Sequence, residues 1–205
     1  MLIAICGRYL NVLGSSIRGN GKTLSAVFLA HNEYKKGRTI YTNFKTSFSI
    51  MYRMNDLITM FNDGKLNNVL VIIDEAQIYL NNSGISVKAR KAMITNFIAQ
   101  TRKSNVDVIL TSQRFMQLHK ELREQCDIIL IASKYHYNTQ GITGLCTVDN
   151  CRRKHCVRLF SMNSSSFLPY VLDCEKIGAL YDSNEIILDN YVIEDTKNNK
   201  KPIKA

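Results

Sequence analysis

Five consecutive residues, Gly19-Asn20-Gly21-Lys22-Thr23, constrain this 205-residue chain more than any other stretch. Before them lies the short apolar run of residues 2–6, which reads as a buried strand. After them come residues 23–36, whose apolar positions recur at helical spacing up to a stop signal at Lys35-Lys36-Gly37. The five residues are therefore the junction between a strand and a helix. At such a junction glycines let successive backbone N–H groups turn toward an anion, and the helix N-terminus favours negative charge. Lys22 reaches the β and γ phosphates of a nucleotide, and the Thr23 hydroxyl coordinates Mg2+. Residues Gly19, Asn20, Gly21, Lys22, Thr23 and Leu24 are the expected nucleotide-binding set. In the pattern G-x-x-x-x-G-K-[ST] the first glycine falls on Ser16, so the loop carries either a non-glycine there or an insertion starting from Gly14 or Gly7.

A second constraint lies further along. Val69-Leu70-Val71-Ile72-Ile73 is a continuous β-branched and aliphatic run, the pattern of a strand buried on both faces of a parallel sheet. Asp74 and Glu75 follow it directly. A carboxylate at the C-terminal edge of such a strand faces the nucleotide crevice, where Asp74 would hold Mg2+ together with Thr23. Glu75 would then polarise the attacking water, a role that implies hydrolysis rather than transfer to a bound acceptor. Taken alone, the two acids also admit a lesser reading, as the decoration of a helix N-terminus. Residues 106–111 form another apolar run that ends in Thr111-Ser112-Gln113-Arg114, which places the Gln113 amide at the same sheet edge. There it could contact the γ-phosphate or the water, although a loop glutamine is ordinarily just solvated.

Alternation of short apolar runs with amphipathic stretches over the first two thirds predicts an α/β domain with a mostly parallel central sheet. Further strands are expected at 39–42 and 127–132, and a short helix at 55–61. Ser86 would cap a helix over about 87–103, with Ala89, Met93, Ile94, Phe97 and Ile98 on its core-facing stripe. Residues 135–160 read as a β-rich insertion with turns at Gly141, Gly144 and Asp149-Asn150. One domain is expected over 1–195, with a basic mobile tail at 196–205. At 45% hydrophobic and 21% charged residues, with no apolar run near the roughly 18–20 residues a bilayer requires, no membrane insertion is expected. The six dispersed cysteines suit a reducing interior. A formal net charge of +10 favours a polyanionic partner such as nucleic acid, or else a solvated basic surface.

The order of phosphate loop, acidic strand and polar-tipped strand resembles the FtsK/HerA superfamily of DNA-pumping ATPases over roughly residues 1–132. Gly-Asn-Gly-Lys-Thr at 19–23, Ile-Ile-Asp-Glu-Ala-Gln at 72–77 and Thr-Ser-Gln-Arg at 111–114 carry the resemblance. Gly37-Arg38-Thr39-Ile40-Tyr41-Thr42-Asn43 is also similar to the second strand of the Zot-type phage assembly ATPases. Short length and basic charge make the chain most similar to the genome-packaging ATPases of icosahedral viruses with an internal membrane, those of the Sulfolobus turreted icosahedral viruses in particular. The resemblance implies a three-layer P-loop fold and ATP hydrolysis with Mg2+. It implies a homo-oligomeric ring, a hexamer, that threads double-stranded DNA in the host cytoplasm during virion assembly, with viral capsid or inner-membrane proteins as partners. Such rings take an arginine from a neighbouring subunit; Arg102 is the first candidate and Arg114 the second. DNA phosphates could be met by Arg152, Arg153 and Lys154 at a hairpin tip.

Cys146, Cys151, His155 and Cys156 admit a zinc reading, but their spacing departs from paired knuckles and a disulfide is an open alternative. Two other functional classes stay in view. A small-molecule kinase would transfer the phosphoryl group to a nucleoside or nucleotide, and a non-hydrolysing module would use ATP as structural glue.

Overall fold

The computed structural model describes residues 1–7, 19–80, 85–146, 151 and 153–182. Among these, nine strands join one sheet: β1 (Leu2–Gly7), β2 (Thr39–Thr42), β3 (Ile50–Met51), β4 (Val69–Ile73), β5 (Val106–Ser112), β6 (Ile128–Asn138), β7 (Gly141–Leu145), β8 (His155–Ser161) and β9 (Ser166–Asp173). The spatial order is β3-β2-β4-β5-β1-β6-β8-β9, with β7 also paired to β6. Every pairing from β3 to β6 is parallel, whereas β7, β8 and β9 run antiparallel to their neighbours. The expected α/β architecture with a mostly parallel sheet is what forms.

Among the described residues six helices flank this sheet: α1 (Lys22–Lys35), α2 (Met54–Asn62), α3 (Gln77–Leu80), α4 (Ile85–Thr101), α5 (Lys120–Gln125) and α6 (Cys174–Gly178). Alternation along each strand divides the interior into two cores. Leu2, Ala4, Val71, Ile73, Val108 and Leu110 meet Leu57 of α2, Ile94, Phe97 and Ile98 of α4 and Leu122 of α5 on one face. Ile3, Ile5, Ile40, Ile72 and Ile109 meet Leu24, Ala26, Val27 and Ala30 of α1 and Ile177 of α6 on the other. Because β4 and β5 are covered on both faces, they carry the unbroken apolar runs seen in the sequence. Truncating a side chain such as Leu110, fully buried, to alanine would cost about 2–5 kcal/mol.

The C-terminal region departs most from expectation. β6 does not end at 132 but continues to Asn138, and Gly144 lies inside β7 rather than in a turn. The antiparallel strands extend the main sheet as one surface, and a strand not foreseen in the sequence, β9, forms its edge. β9 is mostly exposed and contains Pro169, which a strand tolerates at a sheet edge where no ladder bond is lost. The expected turn at Asp149-Asn150, the tail at 196–205, and residues Gly14 and Ser16 lie outside the described residues. Among those described, no helix is long and apolar enough to cross a membrane.

Candidate nucleotide site

The phosphate loop closes onto its own strand. A Cβ built on Gly7, the last residue of β1, would sit 3.2 Å from Asn20 Nδ2 and 3.8 Å from Lys22 Cδ, so the chain returns beside its point of departure before entering α1. Gly21 takes φ 84°, in the left-handed region, and a Cβ there would lie 2.3 Å from Val157 Cγ2 of β8. Glycine at 21 is thus required twice, by the backbone turn and by the close approach of the antiparallel strands. Lys22 opens α1, and its ammonium side chain is 10% exposed. Leu24 reaches into the core beneath the loop while lining the cleft.

Register brings the acids to this loop. Ile73 pairs with Leu110 and Thr42 pairs with Ile72, so Asp74 emerges between Thr111 of β5 and Asn43 beyond β2. Thr23 Oγ1 stands 3.0 Å from each Asp74 carboxylate oxygen, and the Thr111 hydroxyl donates to Oδ1. Asn43 fixes the Asp74 peptide at both ends: its Nδ2 donates to Asp74 O at 3.0 Å, and Asp74 N donates to its Oδ1 at 2.8 Å. Burial pushes the Asp74 carboxyl above the ordinary aspartate range; the Thr111 bond opposes that rise and the neighbouring Glu75 charge adds to it.

Glu75 is held differently. Its φ of 49° places a non-glycine residue in the left-handed region, a conformation costing on the order of 1 kcal/mol that surrounding bonds must enforce. Glu75 N donates to Thr111 Oγ1 at 3.0 Å, and Ala76 N to Thr111 O at 2.8 Å. Its side chain accepts a bond from Gln77 Nε2 and lies 4.0 Å from Lys22 Nζ. The two carboxylates therefore differ: Asp74 is 4% exposed and clamped by hydroxyls, whereas the Glu75 side chain is 25% exposed at the cleft.

These groups line a cleft of about 450 Å3, within the range of small-molecule sites. Its far wall comes from the antiparallel strands and α6, including Lys134, His155, Val157 and Tyr181. A Cβ on Gly19 would stand 3.9 Å from Lys134 Nζ, so a second ammonium faces the loop. Burial, with the nearby Asp74 and Cys174, pushes the Tyr181 phenol up to about 12, so it stays a neutral hydrogen-bonding group at neutral pH. Lys22 and Lys134 give the cleft the charge a triphosphate requires. Asp74, with Thr23 beside it, supplies the hard oxygen ligands that suit Mg2+, and among the described residues this buried carboxylate is bonded to two hydroxyls and forms no direct ion pair.

Of the residues expected from the sequence, Gly19, Asn20, Gly21, Lys22, Thr23, Leu24, Asp74 and Glu75 come together here. Gln113 directly follows β5 and is exposed, but it is not among the residues lining the cleft. Arg102 begins the short 3-10 turn after α4, with its side chain outside the described residues. Arg114 is half-buried at the start of another such turn. Arg153 and Lys154 are exposed, Lys154 lying 4.0 Å from Glu175, and Arg152 lies outside the described residues. Sequence reasoning missed Asn43, Thr111 and Lys134; the first two follow or end strands adjacent to β4, a position that becomes informative once strand order is known.

The sequence profile of the zonular occludens toxin (Zot) family matches residues 13–164. No curated protein sequence was found to match the chain. Among solved structures, the N-terminal domain of zonular occludens toxin from Neisseria meningitidis superposes with a TM-score of 0.52 at 17% identity, covering 88% of this chain and 98% of that one. The DNA-packaging ATPase B204 of Sulfolobus turreted icosahedral virus gives a TM-score of 0.49 at 15% identity, covering 82% and 95%. Its counterpart from Sulfolobus turreted icosahedral virus 2, in complex with ATP-γS, gives 0.48 at 12% identity with the same coverage. These likenesses are of fold; the profile match spans most of the chain, and the chain belongs to the Zot family, with the fold of a P-loop NTPase.

Proposed function

We propose that this chain is a Mg2+-dependent ATPase that drives a step of virion assembly, as the Zot-type phage assembly ATPases do. The observation that carries the reading is the convergence of Lys22, Thr23, Asp74 and Glu75 on one cleft, with the two carboxylates in unlike environments. Lys22 and the loop N–H groups hold the β and γ phosphates and take up the charge that develops as the terminal phosphoryl group leaves. Thr23 and Asp74 hold Mg2+, which neutralises phosphate charge when bound. Glu75 orients the attacking water and accepts its proton, positioned by Gln77 and by the left-handed turn at its own backbone. A water-activating carboxylate beside the metal ligand favours hydrolysis over transfer to a small-molecule acceptor.

The assembly is a homo-oligomeric ring, a hexamer, in which Arg102, or Arg114 in its place, completes the neighbouring subunit's site. The ring acts in the host cytoplasm against viral capsid or inner-membrane proteins. A second reading, translocation of double-stranded DNA into a capsid with phosphate contacts from Arg152, Arg153 and Lys154, is supported by the net charge of +10. ATP turnover should require Mg2+ and disappear in Lys22→Ala. If duplex DNA raises the rate, with a stimulation that fades steeply with salt, the translocating reading holds; an unchanged rate leaves the assembly reading alone. Persistent turnover in Lys22→Ala would refute both.

A further inference from the structure

Beside the nucleotide cleft, whose far wall includes His155, the antiparallel strands gather a second set of chemically matched side chains. His136 of β6 and His155 of β8 are direct cross-strand partners, with ring centroids 5.3 Å apart. Cys146 follows β7 and is held beside β6 by a bond from its N–H to Lys134 O at 2.9 Å. Cys151 precedes β8, with its Sγ 3.6 Å from His136 Nε2. One ligand atom from each of these four residues lies within 4.8 Å of every other. We propose that His136, Cys146, Cys151 and His155 form a structural Cys2His2 zinc site that ties β6, β7 and β8 together beside the nucleotide cleft.

A tetrahedral zinc with bonds of about 2.0–2.3 Å keeps its ligand atoms roughly 3.3–3.8 Å apart, so the observed cluster needs only small side-chain closure. Two thiolates and two imidazoles are the soft and borderline donors that select zinc over Mg2+ or Ca2+. Among the described residues His155 Nε2 is buried without a hydrogen-bond partner, a state that a metal bond would resolve. All four positions come from protein, which leaves no open site for catalysis and makes the role structural. The cysteines form no disulfide among the described residues. The membership corrects the sequence expectation: Cys156 neighbours His155 in β8 and so points to the opposite face of the strand, while His136 takes the fourth place. Its part was hidden because β6 continues further than the sequence suggests.

The test uses the full chain purified under reducing conditions without chelator. Zinc should be present at about one equivalent per chain, and replacement by Co2+ should give the strong visible d–d bands of a tetrahedral ion with thiolate charge transfer. Cys151→Ser and His136→Ala should each weaken zinc binding by about tenfold or more, and Cys156→Ser should leave it unchanged. Should those variants misfold, the Co2+ spectrum of the parent protein decides alone. Absence of zinc with a weak octahedral Co2+ spectrum, or equal zinc loss in Cys156→Ser, would each overturn the proposal. Hydrolysis plays no part in these readouts, so the zinc site and the ATPase reading stand or fall separately.

Discussion

Replacing Gly21 by alanine tests whether the antiparallel strands press on the phosphate loop. Two independent penalties follow from the geometry. The first is conformational: alanine at φ 84° costs about 1–2 kcal/mol relative to glycine. The second is steric, because the new methyl group would lie 2.3 Å from Val157 Cγ2 and 3.1 Å from Cγ1. Overpacking of this kind in a well-filled interior costs typically about 1–3 kcal/mol, and Val157 is fully buried with little room to retreat. The sum, about 2–5 kcal/mol, is a large share of the roughly 5–15 kcal/mol that holds a domain together. Urea unfolding of the parent, Gly21→Ala, Val157→Ala and the double variant forms a cycle that separates the two parts. Val157→Ala should relieve the steric part in the Gly21→Ala background and leave the backbone part, giving a coupling of about 1–3 kcal/mol. A Gly21→Ala variant of parental stability, or a coupling within about 0.3–0.5 kcal/mol of zero, would mean that β8 does not bear on the loop.

Asn43→Ala removes both bonds to the Asp74 peptide and should destabilise the fold by about 2–4 kcal/mol, because the freed N–H and C=O are buried. It should also raise the Mg2+ concentration needed for half-maximal ATP turnover, and an unaltered Mg2+ requirement would remove Asn43 from the site. Asp107 gives a pH signature. Burial alone would raise its pKa, but bonds from the N-terminal ammonium at 2.6 Å and from Arg38 at 2.5 Å outweigh it and hold it below the ordinary 3.8. A carboxyl depressed in the native state stabilises above its unfolded pKa, and that contribution is lost as pH falls through the folded value. Asp107→Asn should therefore cost about 1 kcal/mol at neutral pH and almost nothing at acid pH below both values, as read from chemical denaturation; an equal loss at both pH values would contradict the ion-pair account.

The nucleotide loop and the acidic pair were legible in the sequence because each depends on local pattern: a glycine-rich strand-to-helix junction, and a β-branched run ended by carboxylates. The residues that position them were not. Asn43 and Thr111 lie 31 and 37 residues from Asp74, and they meet it because β2 and β5 flank β4, an order that no single stretch encodes. Lys134 and Val157 reach the loop for a similar reason, since both belong to strands added beyond β1. β9 escaped notice because an edge strand with one buried residue among eight carries no apolar alternation. The His136 and His155 pair depends on the β6 to β8 register, where a slip of one residue would turn one of the rings to the other face.

The central claim is that Lys22, Thr23, Asp74 and Glu75 serve a single triphosphate, with Glu75 acting only on the hydrolytic step. Mg2+-ATP binding and single-turnover hydrolysis, measured side by side on Glu75→Gln and the parent protein, examine that claim most directly. Affinity should change by less than about threefold while the hydrolysis rate falls by about 100-fold or more, the loss of a positioned general base. Equal hydrolysis rates in the two proteins would contradict the account.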